Sequence, residues 1–283
     1  MKRIITGIPP LTQLPAGSVD THMHVYAPQH LGHPNGPKPP LDFANLDDYL
    51  SLQRWLGLEK VVIVQPNAYQ TDNRCMLEAL DQLGNNARGI VVVTPETSEE
   101  ELLSMHKRGA RGARIMELPG GAVGLKHLTE VNAKIRALGW HCIVQFDGRD
   151  MIEHTPLLNQ INDTFIIDHG GKFLGPTTPN SSSFKALLKL IDKGNCYVKI
   201  GAVYESSYTG GEEYTDVAAL SKALIKHAPE RILWASNWPH VSQTIEDAPN
   251  DAQLLDTVCS WIPNDEVIEK IFVTNPHQLY DFT

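Results

Sequence analysis

The chain has 283 residues, 42% of them hydrophobic and 20% charged, the proportions of a globular protein with a sizeable core rather than a disordered or fibrous chain. A formal net charge of −9 argues against a nucleic-acid-binding surface and supplies no attraction to an anionic membrane, yet a local Arg/Lys cluster could still hold an anionic small molecule. The four cysteines stand far apart without C-x-x-C spacing, and Met1–Gly7 lacks the apolar core of a signal peptide, so a reducing cytoplasm is expected and disulfides or a zinc knuckle are not.

Along the chain, short apolar and β-branched runs alternate with amphipathic segments. Strands are expected at Val19–Tyr26, Lys60–Pro66, Gly89–Thr94, Gly112–Met116, His141–Phe146, Phe165–Asp168, Cys196–Ile200 and Ile232–Ala235. Their near-continuous apolar character suits parallel strands buried on both faces. Helices are expected at Asp72–Leu83, Ser98–Arg108, Leu125–Leu138, Ser182–Lys193, Asp216–His227 and Asp251–Trp261, with Thr71/Asp72 and Ser98 as N-caps and Gly109, Gly139 and Gly194 at C-terminal ends. Eight strands alternating with helices predict a (β/α)8 barrel spanning residues 1–283 as one domain. An open doubly wound sheet is disfavoured, because no G-x-G-x-x-G follows the first strand. The Pro/Gly-rich stretch Pro28–Pro40 reads as a long loop after the first strand, placed to act as a lid over the mouth of the barrel.

In such a barrel, polar residues that end the strands converge at one mouth. In strand order these are His22/His24, Asn67/Tyr69, Arg114/Glu117, Gln145/Asp147, Asp168-His169, Lys199/Tyr204 and Asn237/His240. Strict alternation would put Asp20, His22 and His24 on one face of the first strand. Lys199 lies between Val198 and Ile200 and should face the interior. Arg114, at the end of a buried strand, is costly there unless an anion meets it. Lys172 and Arg149 are loop cations, a type usually just solvated. The remaining histidines, His30 and His141 among them, read as structural.

The ordered set Asp20-Thr21-His22-Met23-His24, Gln145-Phe146-Asp147-Gly148-Arg149, Ile167-Asp168-His169-Gly170-Gly171 and Ser236-Asn237-Trp238-Pro239-His240 resembles the amidohydrolase superfamily over essentially the whole chain. Within it the chain looks most similar to the branch holding pyronedicarboxylate lactonases, sugar-lactone hydrolases and galactarolactone isomerases. The resemblance implies an amidohydrolase-type barrel with His22, His24, His169 and the residue at 237 as catalytic. It also implies three departures. Arg114 stands where binuclear members carry a metal-bridging lysine, Gln145 where metal-dependent members carry a histidine, and Asn237 where the family has aspartate. Three neutral imidazoles and an amide, with no carboxylate, make a poor divalent-metal site, so a metal-free and cofactor-free site is expected.

Lactone hydrolysis needs a water deprotonated for attack, and an amide cannot take that proton. What survives is acyl transfer to a hydroxyl of the same molecule, which needs less activation because its effective concentration is high. The resemblance therefore implies an isomerase converting an aldaro-1,5-lactone into the 1,4-lactone. Asn67, Tyr69, Arg114, Gln145, Arg149, Lys199 and His240 are then the expected substrate-binding residues. A lactonase using another base, and a non-catalytic sugar-acid binding protein, are the alternatives. The expected partner is a small sugar-acid lactone, with neither nucleic acid nor membrane.

Overall fold

The computed structural model describes residues 3–40, 42 and 44–282. Eight parallel strands follow one another in chain order around the sheet: β1 (Val19–Met23), β2 (Lys60–Val64), β3 (Ala87–Val91), β4 (Ala110–Met116), β5 (His141–Gln145), β6 (Phe165–Ile167), β7 (Cys196–Ile200) and β8 (Ile232–Trp234). The ring closes just beyond β8, where Met23 bridges Trp238 in parallel and the backbone amides of Asn237 and His24 donate to His22 O (2.9 Å) and Trp238 O (2.8 Å). The (β/α)8 barrel read from the sequence is the fold.

Outside the sheet lie α1 (Leu46–Leu56), α2 (Arg74–Leu83), α3 (Glu99–Lys107), α4 (Leu128–Ile135), α5 (Met151–Leu158), α6 (Ser182–Ile191), α7 (Val203–Ser206), α8 (Thr215–His227), α9 (Asp251–Cys259), α10 (Asp265–Glu269) and α11 (Asn275–Tyr280). Ser98 caps α3 in a reciprocal box with Glu101, satisfying two orphan donors of the first turn. Thr71 does not cap α2, and Asp72 stands one residue outside the N-cap, its Oδ1 accepting from Arg74 N at 3.2 Å. The N-cap is Asn73, whose side chain instead pairs with both backbone groups of Val92, at 2.9 and 2.8 Å. The segment Leu125–Leu138 is not one helix, because turns of 3-10 geometry flank α4 at both ends.

Two apolar layers hold the fold. The larger lies between the sheet and the helices, and the smaller fills the barrel with Val19, Val62, Val64, Ile90, Ile143, Ile166, Tyr197 and Leu233. The chain returns at its C-terminal end to seat Tyr280 and Phe282 against that inner layer. There the Arg88 guanidinium lies over the Phe282 ring at 4.7 Å and donates to Tyr280 O, which is why β3 admits an arginine and starts earlier than its apolar run suggests. With its floor plugged, the barrel is open to ligands at the carboxyl ends of the strands.

Candidate active site

The strict alternation expected in β1 fails at one point. Pairing with β2 shifts register between Asp20 and Met23. Val19 packs in the inner layer, whereas Asp20 accepts from Tyr49 of the outer helix α1 (3.1 Å) and from Ser236 N (3.0 Å) and Oγ (2.6 Å). Asp20 therefore does not share a face with the histidines. It is a buried clamp between the ends of β1 and β8, while the bulge turns His22 and His24 to the mouth.

His22 and His24 approach edge to face with their Nε2 atoms 3.3 Å apart. His24 Nδ1 sits 2.8 Å from Val64 O. A carbonyl only accepts, so that nitrogen carries the proton and Nε2 is the acceptor of the neutral ring. His22 Nδ1 lies 3.3 Å from Asp168 Oδ2, and His169 Nε2 lies 3.5 Å from the same oxygen. Burial, reinforced by Arg114, lowers the His24 pKa to about 3. Burial also lowers His169 to about 4 and His22 well below its ordinary value, each against the opposing pull of Asp168. All three are neutral bases near pH 7. Burial alone would raise the Asp168 carboxyl, but His169, His22 and Lys199 together hold it well below the usual range.

A cavity of about 280 Å³ opens above these groups. Of the residues expected in the site, it is lined by His24, Asn67, Arg114, Gln145, His169 and Asn237. Arg114 donates to Gln65 O (2.8 Å) and Gln145 Oε1 (3.1 Å), its Nε–H has no partner, and it forms no salt bridge among the described residues. Asn237 Nδ2 donates to Tyr204 Oη (2.8 Å) and faces Glu205 Oε1 (3.4 Å). A groove of about 530 Å³ between α2 and α3 is roomier, but it carries none of the strand-end histidines or cations.

Five expected residues lie off this cavity. His22 and Lys199 are fully buried beneath it, with Lys199 Nζ donating to Thr21 O (2.8 Å) and resting 3.5 Å from His22 Nδ1. Burial lowers the Lys199 pKa to about 8 even beside Asp168. Lys199 thus faces the interior as expected, but as support for His22. Tyr69 is buried against the backbone of Ala27. His240 is enclosed between Tyr204 Oη (3.0 Å) and Asp251 Oδ1 (3.1 Å). Arg149 is an exposed cation fastened to Asp147 two residues away, the solvated case.

An ion pair that was not expected also lines the mouth. Lys172 is buried, not solvated, and pairs with Glu205. Glu205 also accepts from Ser242 Oγ at 2.6 Å. Although burial opposes its charge, Lys172 and His169 bring its pKa to about 2. Only the meeting of the turn after β6 with α7 makes this pair, and neither segment carries a local signal for it.

The expectation that no carboxylate serves the histidines is also corrected, since Asp168 is that carboxylate. Donor atoms of His22, Asp168 and His169 lie within 4.8 Å of one another, close enough for a cation. The chemistry of the surroundings is against one. Lys199 and Arg114 are both buried cations near enough for the Asp168 charge to act on them, and the further positions at Gln145 and Asn237 offer amides. A dication there would meet two buried like charges with one carboxylate to offset it, and the residues do not fit it.

A parallel barrel with histidines, a buried carboxylate and a buried arginine that has no salt bridge among the described residues, all at the carboxyl ends of its strands, belongs to the class of barrel enzymes that act on small polar molecules. More narrowly, the amidohydrolase family model matches residues 19–282, and the chain belongs to that family. It is 40% identical over 280 residues to a D-galactarolactone isomerase of Agrobacterium fabrum, covering 98% of this chain and 96% of that one. A 2-pyrone-4,6-dicarboxylate hydrolase of Comamonas testosteroni is 31% identical over 284 residues, covering 96% and 92%. The crystal structure of an Agrobacterium tumefaciens protein in its apo form superposes with a TM-score of 0.96 at 39% identity, covering 99% of each chain.

Proposed function

We propose that the chain is a metal-independent isomerase of sugar-acid lactones, converting an aldaro-1,5-lactone such as D-galactarolactone into the 1,4-lactone. The observation that carries this reading is Asn237 at the mouth, an amide where activation of water calls for a base. Arg114 takes the substrate carboxylate through its unpartnered edge. A hydroxyl of the bound sugar acid attacks the lactone carbonyl and forms the new C–O bond. The ring C–O bond then breaks. The proton leaving the attacking hydroxyl is taken by a neutral imidazole lining the cavity, His24 or His169, and returned to the departing alkoxide, so no water is consumed. His22, Asp168 and Lys199 orient those rings from below. The four free cysteines are all buried, which supports a reducing cytoplasm, and no helix among the described residues is long and apolar enough to cross a membrane.

A lactonase is the second reading, favoured by the hydrolase relative and by the Glu205 carboxylate near Asn237. Against it, the Glu205 carboxylate is already engaged by Lys172, Ser242 Oγ and Asn237 Nδ2. The deciding experiment incubates metal-depleted protein with aldaro-1,5-lactones and follows ring size by NMR with chelator present. Appearance of 1,4-lactone supports the isomerase, free diacid means a lactonase, and no catalysed change means a binding protein. Activity lost with chelator and restored by stoichiometric zinc or manganese would overturn metal independence.

A further inference from the structure

Behind the mouth, four side chains form one line of hydrogen bonds that ends at Asn237. Asp251 of α9 faces His240 Nε2 at 3.1 Å. His240 Nδ1 faces Tyr204 Oη at 3.0 Å, and Tyr204 Oη faces Asn237 Nδ2 at 2.8 Å. Asp251 and His240 are buried, and none of the roles given above uses Asp251, His240 or Tyr204.

The donor directions along this line follow from its ends. Asp251 and Glu205 are carboxylates and only accept. At one end, His240 Nε2 must therefore carry a proton and donate to Asp251. At the other, the Asn237 atom facing Glu205 Oε1 at 3.4 Å must be the NH2 group. That group's second hydrogen goes to Tyr204 Oη, whose single proton is then free to go to His240 Nδ1. Tyr204 keeps that proton, because burial and then Glu205 raise its pKa well above the ordinary value. With Nδ2 engaged twice, the amide cannot flip. Asn237 Oδ1 makes no hydrogen bond among the described residues and is not among their buried unpartnered atoms, while Asn237 itself lines the cavity.

Resting on the isomerase reading above, we infer that Asp251, His240 and Tyr204 are positioning residues that lock Asn237 with its carbonyl oxygen toward the cavity, where it accepts a hydrogen bond from the substrate hydroxyl that attacks the lactone. Asn237 thus aligns the nucleophile, while the imidazoles move its proton. The arrangement also excludes the opposite use of the amide, because an NH2 bound to Tyr204 and Glu205 is not available to donate to the oxyanion.

A double-mutant cycle tests this. Tyr204→Phe should lower kcat for isomerisation by about 10- to 100-fold, the penalty of a slightly misplaced reacting group, with KM changed less than about threefold. In an Asn237→Ala background the same Tyr204→Phe change should cost nothing more, because the line acts only through Asn237. An equal loss in both backgrounds would overturn the inference. A second measurement needs neither turnover nor a variant that folds. In the unmodified protein the 15N shifts of His240 should show a proton on Nε2, and a bare Nε2 would overturn the inference. Failure of the unmodified protein to change the lactone ring would sink the isomerase reading and leave the tautomer result standing.

Discussion

At the scale of residues, charge decides what Arg114 and Asn237 are for. Arg114 is buried with carbonyl and amide acceptors and no salt bridge among the described residues, so it carries a desolvation penalty that an anionic ligand would offset. Arg114→Met should lower kcat/KM by about 2–5 kcal/mol of transition-state binding, read from steady-state kinetics, and turnover equal to the parent would pass the role to Lys172. Asn237→Asp changes little in volume but places a second carboxylate beside Glu205. That neighbour raises the new group's pKa and makes it a better proton acceptor for water. General-base help is worth about 10²–10⁴-fold, so free diacid should appear by NMR, with and without chelator. A folded variant that still isomerises and releases no diacid would show that the amide is not what withholds water.

At the scale of elements, the loop Pro28–Pro40 lies against the mouth. Its His33 amide donates to Ala68 O at 2.7 Å, and Pro37 and Lys38 reach the cavity lining. Gly36 passes so close to the 3-10 turn Asn67–Tyr69 that a β-carbon would stand 2.5 Å from Asn67 O. We propose that the loop is a lid that keeps water from the acyl centre, prolines lowering its ordering cost. Shortening it between His33 and Pro39, or lifting it with Gly36→Ala, should raise the ratio of hydrolysed product to isomer. An unchanged ratio in a folded variant would remove the loop from that role.

Across the whole molecule, the barrel buries imidazoles in neutral form. His24 and His141 have their pKa values lowered by burial to about 3, and His169 to about 4, from ordinary values near 6.5. Between those limits the unfolded chain binds protons that the folded chain does not, so stability rises with pH and is fully present only above about 6.5. Denaturant midpoints measured from pH 7 down to pH 4 should fall steadily, and the triple variant His24→Gln, His141→Gln, His169→Gln should show a flatter profile. A midpoint independent of pH across that window would contradict the neutral, buried state of these rings.

What the sequence by itself determined was periodic or local. Apolar runs of strand length placed every strand to within a few residues, and polar residues ending those runs marked His24, Asn67, Arg114, Gln145, His169 and Asn237, all of which line the mouth. Those signals are readable because strand alternation and barrel order follow from neighbours in the chain. The tertiary structure alone decided the rest. The bulge that turns Asp20 away from His22 and His24 depends on pairing with β2. Lys172 becomes a buried partner of Glu205 only because the turn after β6 meets α7. His240 is drawn off the cavity by Asp251, which α9 brings to it. In each case a side chain's exposure and protonation are set by groups that folding brings from other elements, and no run of sequence around the residue carries that information.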